Sequence, residues 1–468
     1  MTLRPISLTR QLLIASVGLS LFSGMIWGQA NEAPAQQPAA AGADNNAVPP
    51  AFNPDADRMT TPPPLNGLIY PITLGSQERS NYLRTALSFT SGYTDNLLGG
   101  TGGHPVSDIT YSVAPVIGLD ETTTRMHLLL NYAPGYTFYQ KTSARNEADQ
   151  DASVEFGYRL SPHVTLSAHD SFQKSSNVFN QSADLAGGVV PAGIQTANAS
   201  VIPPFASYLN NSGNVGISYQ FGLNDMVGAS GAFSNLYFLD SAQAPGLADS
   251  SSQGGLAFYS HRFGQGQYLG LTYSFQRLLS FPTFGKIETM AHAPLGFYSF
   301  TPASSKISIS FFGGPQYSDT TLPFPLLAEK SWGGTGGTSL GWQGRLTSLA
   351  LSYAHVISGG GGLSSAVHQD SGSLSVRQQI VKTLNASVTG AYAQNNAIGS
   401  AQLGTTSGHS ISGSASIHKT IGEHIDVTLE YARIHQSYSG VQAFSTSTPD
   451  TNHESISISY HFSRPLGR

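Results

Sequence analysis

The amino-acid sequence predicts an all-β protein: a transmembrane, antiparallel, up-and-down β-barrel of about 16–18 strands, with short periplasmic turns and longer extracellular loops. Three features lead to this prediction. Charged residues are scarce, apolar and polar residues alternate along most of the chain, and short connections alternate with long ones. Soluble β-sandwiches share the second feature, so the first and third favour a barrel whose outside faces lipid and whose inside faces water.

The composition excludes several classes of protein. Only 10% of the 468 residues are charged, whereas about 25% is usual. The mean hydropathy of −0.11 is too low for a bundle of transmembrane helices. The chain has no Cys, which excludes disulfide frameworks, thiolate metal sites and cysteine nucleophiles. A net charge of −5 argues against a nucleic-acid partner.

The N-terminal part predicts two segments that precede the barrel. Residues 1–30 resemble a secretory signal peptide, because Arg4 and Arg10 precede an apolar stretch and a small-residue cleavage pattern follows it. An uncleaved membrane anchor is the alternative, since the apolar stretch is close to the shortest that spans a bilayer. Residues 31–75 are rich in Pro and Ala and predict a disordered periplasmic arm. Residues 76–468 are then the barrel.

The alternation of residue types has the period of a β-strand. Leu269, Leu271, Tyr273 and Phe275 alternate with Gly, Thr, Ser and Gln. Side chains at every second position share one face of a strand, so this pattern gives one apolar face and one small, polar face. The pattern recurs at 154–160, 215–221, 307–311, 349–353, 425–431 and 456–462.

The connections between these segments decide between a sandwich and a barrel. Short turns are predicted at 120–123, 161–162, 222–225, 264–266, 301–304, 343–345, 381–383 and 422–423. Longer links are predicted at 95–106, 141–149, 174–209, 240–250, 318–330, 358–367, 398–406 and 439–451, and the link at 280–284 is a short exception. Outer-membrane barrels place short turns on the periplasmic side and long loops outside. A soluble sandwich has no reason to sort its connections in this way.

Aromatic residues and prolines help to predict where the strands end. Aromatic residues gather near predicted strand ends, where amphipathic rings suit the headgroup boundary of a membrane. They include Tyr132, Tyr136, Phe138, Tyr139, Phe297, Tyr298 and Phe300. Pro115 and Pro134 lie within strand-like segments, and we expect a bulge or a strand end at each because proline removes a ladder donor.

A barrel of this width leaves an aqueous channel, so the inward residues carry the function. Most inward positions hold Ser or Thr, and we predict seven larger polar residues that line the lumen. These are Glu155, His169, Gln220, Glu288, Arg377, Asp426 and Glu430. Because the charges are few and of both signs, we expect a weakly selective path. The loop at 174–209 is long enough to cap the mouth or to constrict the pore, and a solvated external loop is the alternative.

Catalytic motifs are weak in this chain. Gly337-Thr338-Ser339-Leu340-Gly341 matches a nucleophile elbow, which requires a strand, a sharp turn and a helix. Here strand-like alternation surrounds the motif. The sequence has no H-E-x-x-H zinc motif. We therefore predict no enzyme activity, no catalytic residue, no metal site and no cofactor.

Three segments carry a family resemblance. They are Asp108-Ile109-Thr110-Tyr111-Ser112-Val113-Ala114-Pro115, Asn131-Tyr132-Ala133-Pro134-Gly135-Tyr136-Thr137-Phe138-Tyr139-Gln140 and Asp149-Gln150-Asp151-Ala152-Ser153. With these segments the chain resembles the β-barrel porin-like outer-membrane proteins of Gram-negative bacteria, including acidobacterial-type members. The resemblance implies a barrel in the outer membrane and transfers no catalytic residue. Tyr460-His461-Phe462 also looks like the aromatic signal that the barrel-assembly machinery reads, although residues 463–468 follow it.

These observations predict a bacterial outer-membrane, porin-like channel for passive diffusion of small hydrophilic solutes. The alternative is a barrel component of an exopolysaccharide export or assembly system, with the proline-rich arm as its periplasmic contact. The expected partners are outer-membrane lipid, the barrel-assembly machinery during biogenesis and small hydrophilic solutes, and no nucleic acid. The sequence leaves open whether the barrel is a monomer or a homo-oligomer.

Overall fold

The computed structural model describes residues 81–97, 105–175, 177, 179, 206–240, 243–244, 246–300, 306–399, 407–439 and 450–466. The predicted signal peptide and periplasmic arm lie outside these residues, and both stay predictions. Within the described ranges, no helix is long and apolar enough to cross a membrane. One short 3-10 helix spans Ser143–Arg145.

The described residues form eighteen strands of 12 to 16 residues. In chain order they are β1 (Tyr82–Thr94), β2 (Asp108–Thr122), β3 (Met126–Tyr139), β4 (Glu147–Arg159), β5 (Val164–Ser175), β6 (Tyr208–Gln220), β7 (Asp225–Phe238), β8 (Asp249–Gly264), β9 (Gln267–Phe281), β10 (Ile287–Phe300), β11 (Ile307–Thr321), β12 (Glu329–Gln343), β13 (Thr347–Ser358), β14 (Val367–Val381), β15 (Leu384–Ala397), β16 (Ser407–Ile421), β17 (Ile425–Tyr438) and β18 (Asp450–Pro465). A tilted strand of about 9–11 residues crosses the hydrocarbon layer, so each strand is long enough.

Every strand pairs antiparallel with its neighbours in the chain, and β1 also pairs with β18. The closing seam runs from Tyr82↔Pro465 to Thr94↔His453. The sheet is therefore a closed, up-and-down barrel, and closure satisfies the backbone groups that an open edge would expose to lipid. This confirms the predicted fold class and sets the strand number at eighteen.

Short and long connections between strands alternate along the chain, as predicted. Short turns at 123–125, 160–163, 221–224, 265–266, 344–346, 382–383 and 422–424 fall on one rim. Both ends of the barrel, Tyr82 and Pro465, lie on the same rim as these turns. The opposite rim carries the longer links, and by the rule for outer-membrane barrels it is the extracellular side.

The two faces of the sheet differ strongly. On β9, Leu269, Leu271 and Tyr273 are at least half exposed, whereas the alternate residues Tyr268 and Thr272 are buried. The exposed apolar face is the outside of the barrel, and the face rich in hydroxyl groups lines the lumen. Tyr132 and Phe138 are exposed on the outer face, but only Phe138 lies at the predicted strand end, because Tyr132 is near the middle of β3. Tyr139 and Phe297 are buried on the inward face.

The expected bulges or strand ends at Pro115 and Pro134 are wrong. Strands β2 and β3 run through both residues, and their register is the same on either side, from Val113↔Tyr136 to Ile117↔Tyr132. The two prolines lie directly opposite each other in this register. Because neither donates a hydrogen bond, pairing is interrupted there without any shift of the strands.

Candidate functional site: the lumen and its extracellular mouth

Cross-strand pairs of hydroxyl groups line much of the lumen. They join neighbouring strands at distances of 2.6 to 2.9 Å, as in Ser310–Ser339 and Thr389–Ser414. The pairs include Ser88–Ser459, Thr289–Thr320, Ser310–Ser339, Ser318–Ser331, Ser352–Ser373, Ser387–Ser416 and Thr389–Ser414. Each hydroxyl bonds its partner and keeps further hydrogen-bonding capacity for water. The wall is thus small, neutral and wettable.

Ser339 belongs to this wall. The Gly337-Thr338-Ser339-Leu340-Gly341 motif lies inside β12, where the Ser339 hydroxyl pairs with Ser310. A nucleophile elbow needs a sharp turn between a strand and a helix, and β12 provides neither. The described residues also contain no group of three or more His, Asp or Glu side chains arranged to hold a metal ion.

The strand registers place six of the seven predicted lumen residues on the inward face. The six are Glu155, His169, Gln220, Arg377, Asp426 and Glu430. Glu155 and His169 are Cα partners across β4 and β5 near the middle of the wall. Gln220 lies at the periplasmic end, where its amide donates to the Gly222 carbonyl at 3.0 Å.

Glu288 is the exception and corrects the sequence-based assignment. It shares a face of β10 with the exposed Met290, while Ile287 and Thr289 on the other face are almost fully buried. Arg277 Nε and Lys286 Nζ each lie 2.7 Å from its carboxylate. Two cations therefore neutralise Glu288 on the outer surface, at the extracellular end of β10.

Asp426 lies between two histidines in a cluster of polar side chains that the sequence did not reveal. Its two carboxylate oxygens lie 3.3 Å from His418 Nε2 and 3.0 Å from His461 Nδ1. The three residues come from β16, β17 and β18 and face the lumen near the periplasmic rim. The sequence offers one signal for this cluster. The alternation of the strands places both histidines on the same inward face as Asp426.

The lumen has two unlike walls. The charged inward residues described above lie on the part of the barrel formed by β14 to β18 and β1 to β5. Among the described inward positions of β7 to β13, charges occur only at Arg262 near the periplasmic rim and Glu329 near the mouth. Between them, Leu295, Phe297 and Phe312 form an apolar cluster with Ala293 and Val356.

The connection between β13 and β14 folds into the barrel at its extracellular mouth. Within residues 359–366, Leu363 is fully buried and packs against Val367 and Tyr438. Its carbonyl accepts a hydrogen bond of 3.0 Å from the Ser280 hydroxyl on β9. Because β9 and β17 lie on distant parts of the wall, this inward segment (residues 359–366) narrows the lumen.

Further hydrogen bonds fix the inward segment. The Gly362 carbonyl accepts from the Ala248 amide at 2.9 Å, and Ser365 donates to the Ile398 carbonyl at 3.0 Å. Gly361 and Gly362 have positive φ angles of 32° and 96°, which side-chain-bearing residues rarely adopt. The run of glycines therefore permits the tight path of this segment. The sequence alone predicts only an external link at residues 358–367.

The opposite side of the mouth is filled by the start of the β5–β6 connection. The Phe179 ring stacks on His453 with centroids 4.5 Å apart and also packs against the buried Leu97 and Tyr139. Asn177 is fully buried beside it. Residues 180–205 lie outside the described residues, so constriction of the pore by the loop at 174–209 stays a prediction.

A closed barrel with an apolar exterior and a neutral, wettable lumen defines the class: the chain is a bacterial outer-membrane β-barrel of the channel type. No family model matches the chain, and no curated protein matches it. The acidobacterial-type resemblance therefore stays a prediction.

Solved outer-membrane proteins resemble the barrel. OccK2 (OpdF) of Pseudomonas aeruginosa is 11% identical with a TM-score of 0.40, covering 82% of this chain and 98% of its own. OccAB4 of Acinetobacter baumannii is 9% identical with a TM-score of 0.41, covering 83% and 100%. The FrpB iron transporter of Neisseria meningitidis is 8% identical with a TM-score of 0.39, covering 82% and 81%.

Proposed function

We propose that the protein is a passive outer-membrane channel for small hydrophilic solutes, and that the inward segment sets its narrowest bore. The observation that carries this proposal is the combination of a hydroxyl-lined wall with Leu363 held across the mouth by Ser280. Hydroxyl groups exchange hydrogen bonds with water and uncharged polar solutes at little cost. A fixed segment across the mouth then limits the size of what passes.

Weak selectivity for charge is part of the proposal. The inward charges are few and of both signs, with Arg377 on β14 and Glu155, Asp426 and Glu430 on β4 and β17. The field of each charge is short-ranged in salt solution, where the Debye length is about 8–10 Å. Ions of either sign therefore pass the wall, with only a weak preference for one sign.

Swelling of vesicles tests the proposal. The refolded protein is placed in vesicles and diluted into solutions of uncharged sugars from arabinose to raffinose. The proposal predicts that the swelling rate falls steeply with the size of the sugar, whereas protein-free vesicles do not swell. Arabinose that enters no faster than into protein-free vesicles would contradict it.

A truncated variant separates this function from the export alternative. Deleting residues 31–70 removes most of the proline-rich arm and leaves every described strand in place. A simple pore predicts the same swelling rates with and without the arm. An arm that is required for permeation would favour a docking role instead.

A further inference from the structure

Three cationic side chains gather on the outer surface at the extracellular ends of β9 to β12. Arg277 Nε and Lys286 Nζ each lie 2.7 Å from the carboxylate of Glu288. Lys330 Nζ lies 3.4 Å from the carboxylate of Asp319. The two lysine side chains are 47% and 64% exposed, whereas the two acidic side chains are 17% and 35% exposed. The outermost part of this cationic patch (residues 277, 286 and 330) is therefore positively charged.

The patch forms one row across neighbouring strands. Arg277 is the Cα partner of Met290 on β10. Met290 is also opposite Asp319, which pairs with Lys330. Adjacent strands lie about 4.7–4.9 Å apart, so the row is about 14–15 Å long. Among the described outward residues at this rim of β9 to β12, the three cations outnumber the two acids. An anionic group that reaches the patch therefore meets a net positive charge.

A row of rings lies directly below the cationic patch, towards the centre of the membrane. The rings of Phe275 and His292 have centroids 5.0 Å apart, and those of Tyr317 and Trp332 have centroids 5.1 Å apart. Trp332 is 74% exposed. Aromatic rings on the outside of a barrel lie at the headgroup boundary of the membrane. The patch above them is therefore at the depth of the lipid headgroups.

An open depression lies below these rings in the lipid-facing surface. Its volume is about 510 Å³, and Leu271 on β9 forms one side. In its floor, Pro294 and Gly296 of β10 are opposite Pro315 and Gly313 of β11. No atom lies within 4 Å of the place where a Gly296 side chain would begin. Since a cavity of about 150 Å³ already holds a small hydrocarbon, the depression has room for a stretch of acyl chain.

The other proline pair of the barrel has neither feature. At Pro115 and Pro134 the adjoining cavity is about 30 Å³. Tyr132 and Tyr136 project from the same outer face, and each is more than 40% exposed. In these two strands, which the structure describes in full, no outward residue is a Lys or an Arg. A proline pair alone therefore creates neither a depression nor a cationic patch, and the two coincide at β9 to β12.

We infer that the outer face of β9 to β12 is a binding site for one phosphate-bearing lipid of the outer leaflet. The phosphate lies on the cationic patch, and an acyl chain of the same lipid lies in the depression. Arg and Lys bind phosphate through charge-assisted hydrogen bonds. Within the hydrocarbon layer, close packing holds a chain in a groove, because the surrounding lipid is equally apolar. The site lies on the lipid-facing surface and is independent of the proposed axial pore.

Quenching of Trp332 fluorescence provides the test, because this ring lies between the cationic patch and the depression. The chain has three Trp residues, so Trp27→Phe and Trp342→Phe leave Trp332 as the only one. This protein is refolded into phosphatidylcholine vesicles in which one lipid carries brominated acyl chains, which quench a tryptophan that they contact. The brominated lipid is either phosphatidic acid, whose headgroup is a bare phosphate, or phosphatidylcholine at the same mole fraction.

We expect the site to prefer brominated phosphatidic acid over brominated phosphatidylcholine by at least about fivefold, which is the effect of one Lys or Arg near an anionic headgroup. At about 1 M salt, where the Debye length is about 3 Å, the preference should largely disappear. Lys286→Gln/Lys330→Gln should abolish it at low salt. Lys419→Gln is the matched control, because Lys419 is exposed on the outer face of β16, and it should keep the preference.

Filling the depression tests the position of the acyl chain. Gly296→Leu should lower the quenching by brominated phosphatidic acid towards the level of phosphatidylcholine. Gly390→Leu is the control at an outward glycine of β15, where the only atom near the new side chain is the Ser412 carbonyl oxygen at 3.9 Å. It should leave the quenching unchanged.

Equal quenching by the two lipids at low salt would overturn the inference, and this comparison needs no substitution at the site. A preference that survives Lys286→Gln/Lys330→Gln, or quenching that Gly296→Leu leaves unchanged, would also overturn it. Swelling with sugars should be the same in all these variants, so a failure of the lipid site is distinguishable from a failure of the axial pore.

Discussion

The direction in which a side chain points decides what its charge does in this barrel. Asp225 and Asp426 both lie near the periplasmic rim and both contact histidine. Asp225 accepts hydrogen bonds from Tyr259 and contacts His261 on the outer surface. Asp426 instead faces the lumen. We therefore expect two residues of the same chemistry to have different effects on permeation.

Asp426→Asn removes one lumen charge and should make the channel less selective for cations. At contact with the ion path, a unit charge in salt solution changes ion occupancy on the order of twofold. The cation-to-anion permeability ratio, obtained from the reversal potential in a KCl gradient, should fall by about that factor. Asp225→Asn is the matched control and should leave the ratio unchanged. Equal effects of both substitutions would contradict the assigned lumen.

Gly362→Ala strains the inward segment. The φ angle of Gly362 is 96°, and a residue with a side chain pays about 1–2 kcal/mol for such a conformation. About 1.4 kcal/mol corresponds to a tenfold shift in population, so we expect frequent excursions to a higher conductance in single-channel recordings. Gly422→Ala introduces similar strain at a φ of 67° in a periplasmic turn and should leave the recordings unchanged. Steady currents at the wild-type conductance in the Gly362 variant would argue against this segment as the constriction of the pore.

Some individual side chains could not be assigned from the sequence. The run Ile287-Glu288-Thr289-Met290 offers one polar residue to each face, and polarity alone favoured Glu288 for the lumen. The face on which Glu288 lies depends on Arg277 and Lys286, which form ion pairs with it on the outer surface. These contacts depend on strand register, which a single sequence does not specify at this point.

At the scale of the strands, the last residues of β18 help to close the barrel. Residues beyond Phe462 extend the strand and pair with the start of β1, from Tyr82↔Pro465 to Arg84↔Ser463. In the sequence these residues only follow a terminal aromatic signal. In the structure they lengthen the seam that joins the first strand to the last.

Truncation after Phe462 should weaken this seam. Loss of the pairs made by Ser463, Arg464 and Pro465 removes a few backbone hydrogen bonds, each with a net contribution of about 0.5–1.5 kcal/mol. We expect the free energy of unfolding, measured in urea on the refolded protein, to fall by about 1–4 kcal/mol. Truncation after Leu466 leaves every β1–β18 pair in place and serves as the control. Identical unfolding curves for the two truncations would contradict the closing role.

The strands and turns were predictable because their signals are local. Alternation with period two marks a strand, and Gly, Asn and Asp mark the tight turns, so the turns at 222–225 and 422–423 match the structure closely. The inward course of residues 359–366 depends on Ser280 and Ala248, which are distant in sequence. The opposition of Pro294 and Pro315 likewise requires the register of β10 and β11. The four glycines at 359–362 indicate a tight path but not its inward direction, and the opposition of the two prolines leaves no local signal.

On the scale of the whole molecule, the barrel combines a wide frame with a partly filled mouth. Eighteen strands enclose a lumen broad enough for an aqueous channel. Leu363 from one side and Phe179 from the other occupy its extracellular end. The strand number therefore sets the upper limit of the bore, and we propose that the inward segment sets the actual bore.

Single-channel conductance of a loop-replaced variant in a planar bilayer tests this claim most directly. Ser358 and Val367 are Cα partners, so an Asn-Gly turn can replace residues 359–366 without a change of register. The double substitution Phe324→Ser/Leu327→Ser in the β11–β12 connection is the control, because these two side chains are 98% and 74% exposed. We predict that the first variant conducts more than the wild type and admits larger sugars, while the control matches the wild type. Equal conductance of all three proteins would contradict the account.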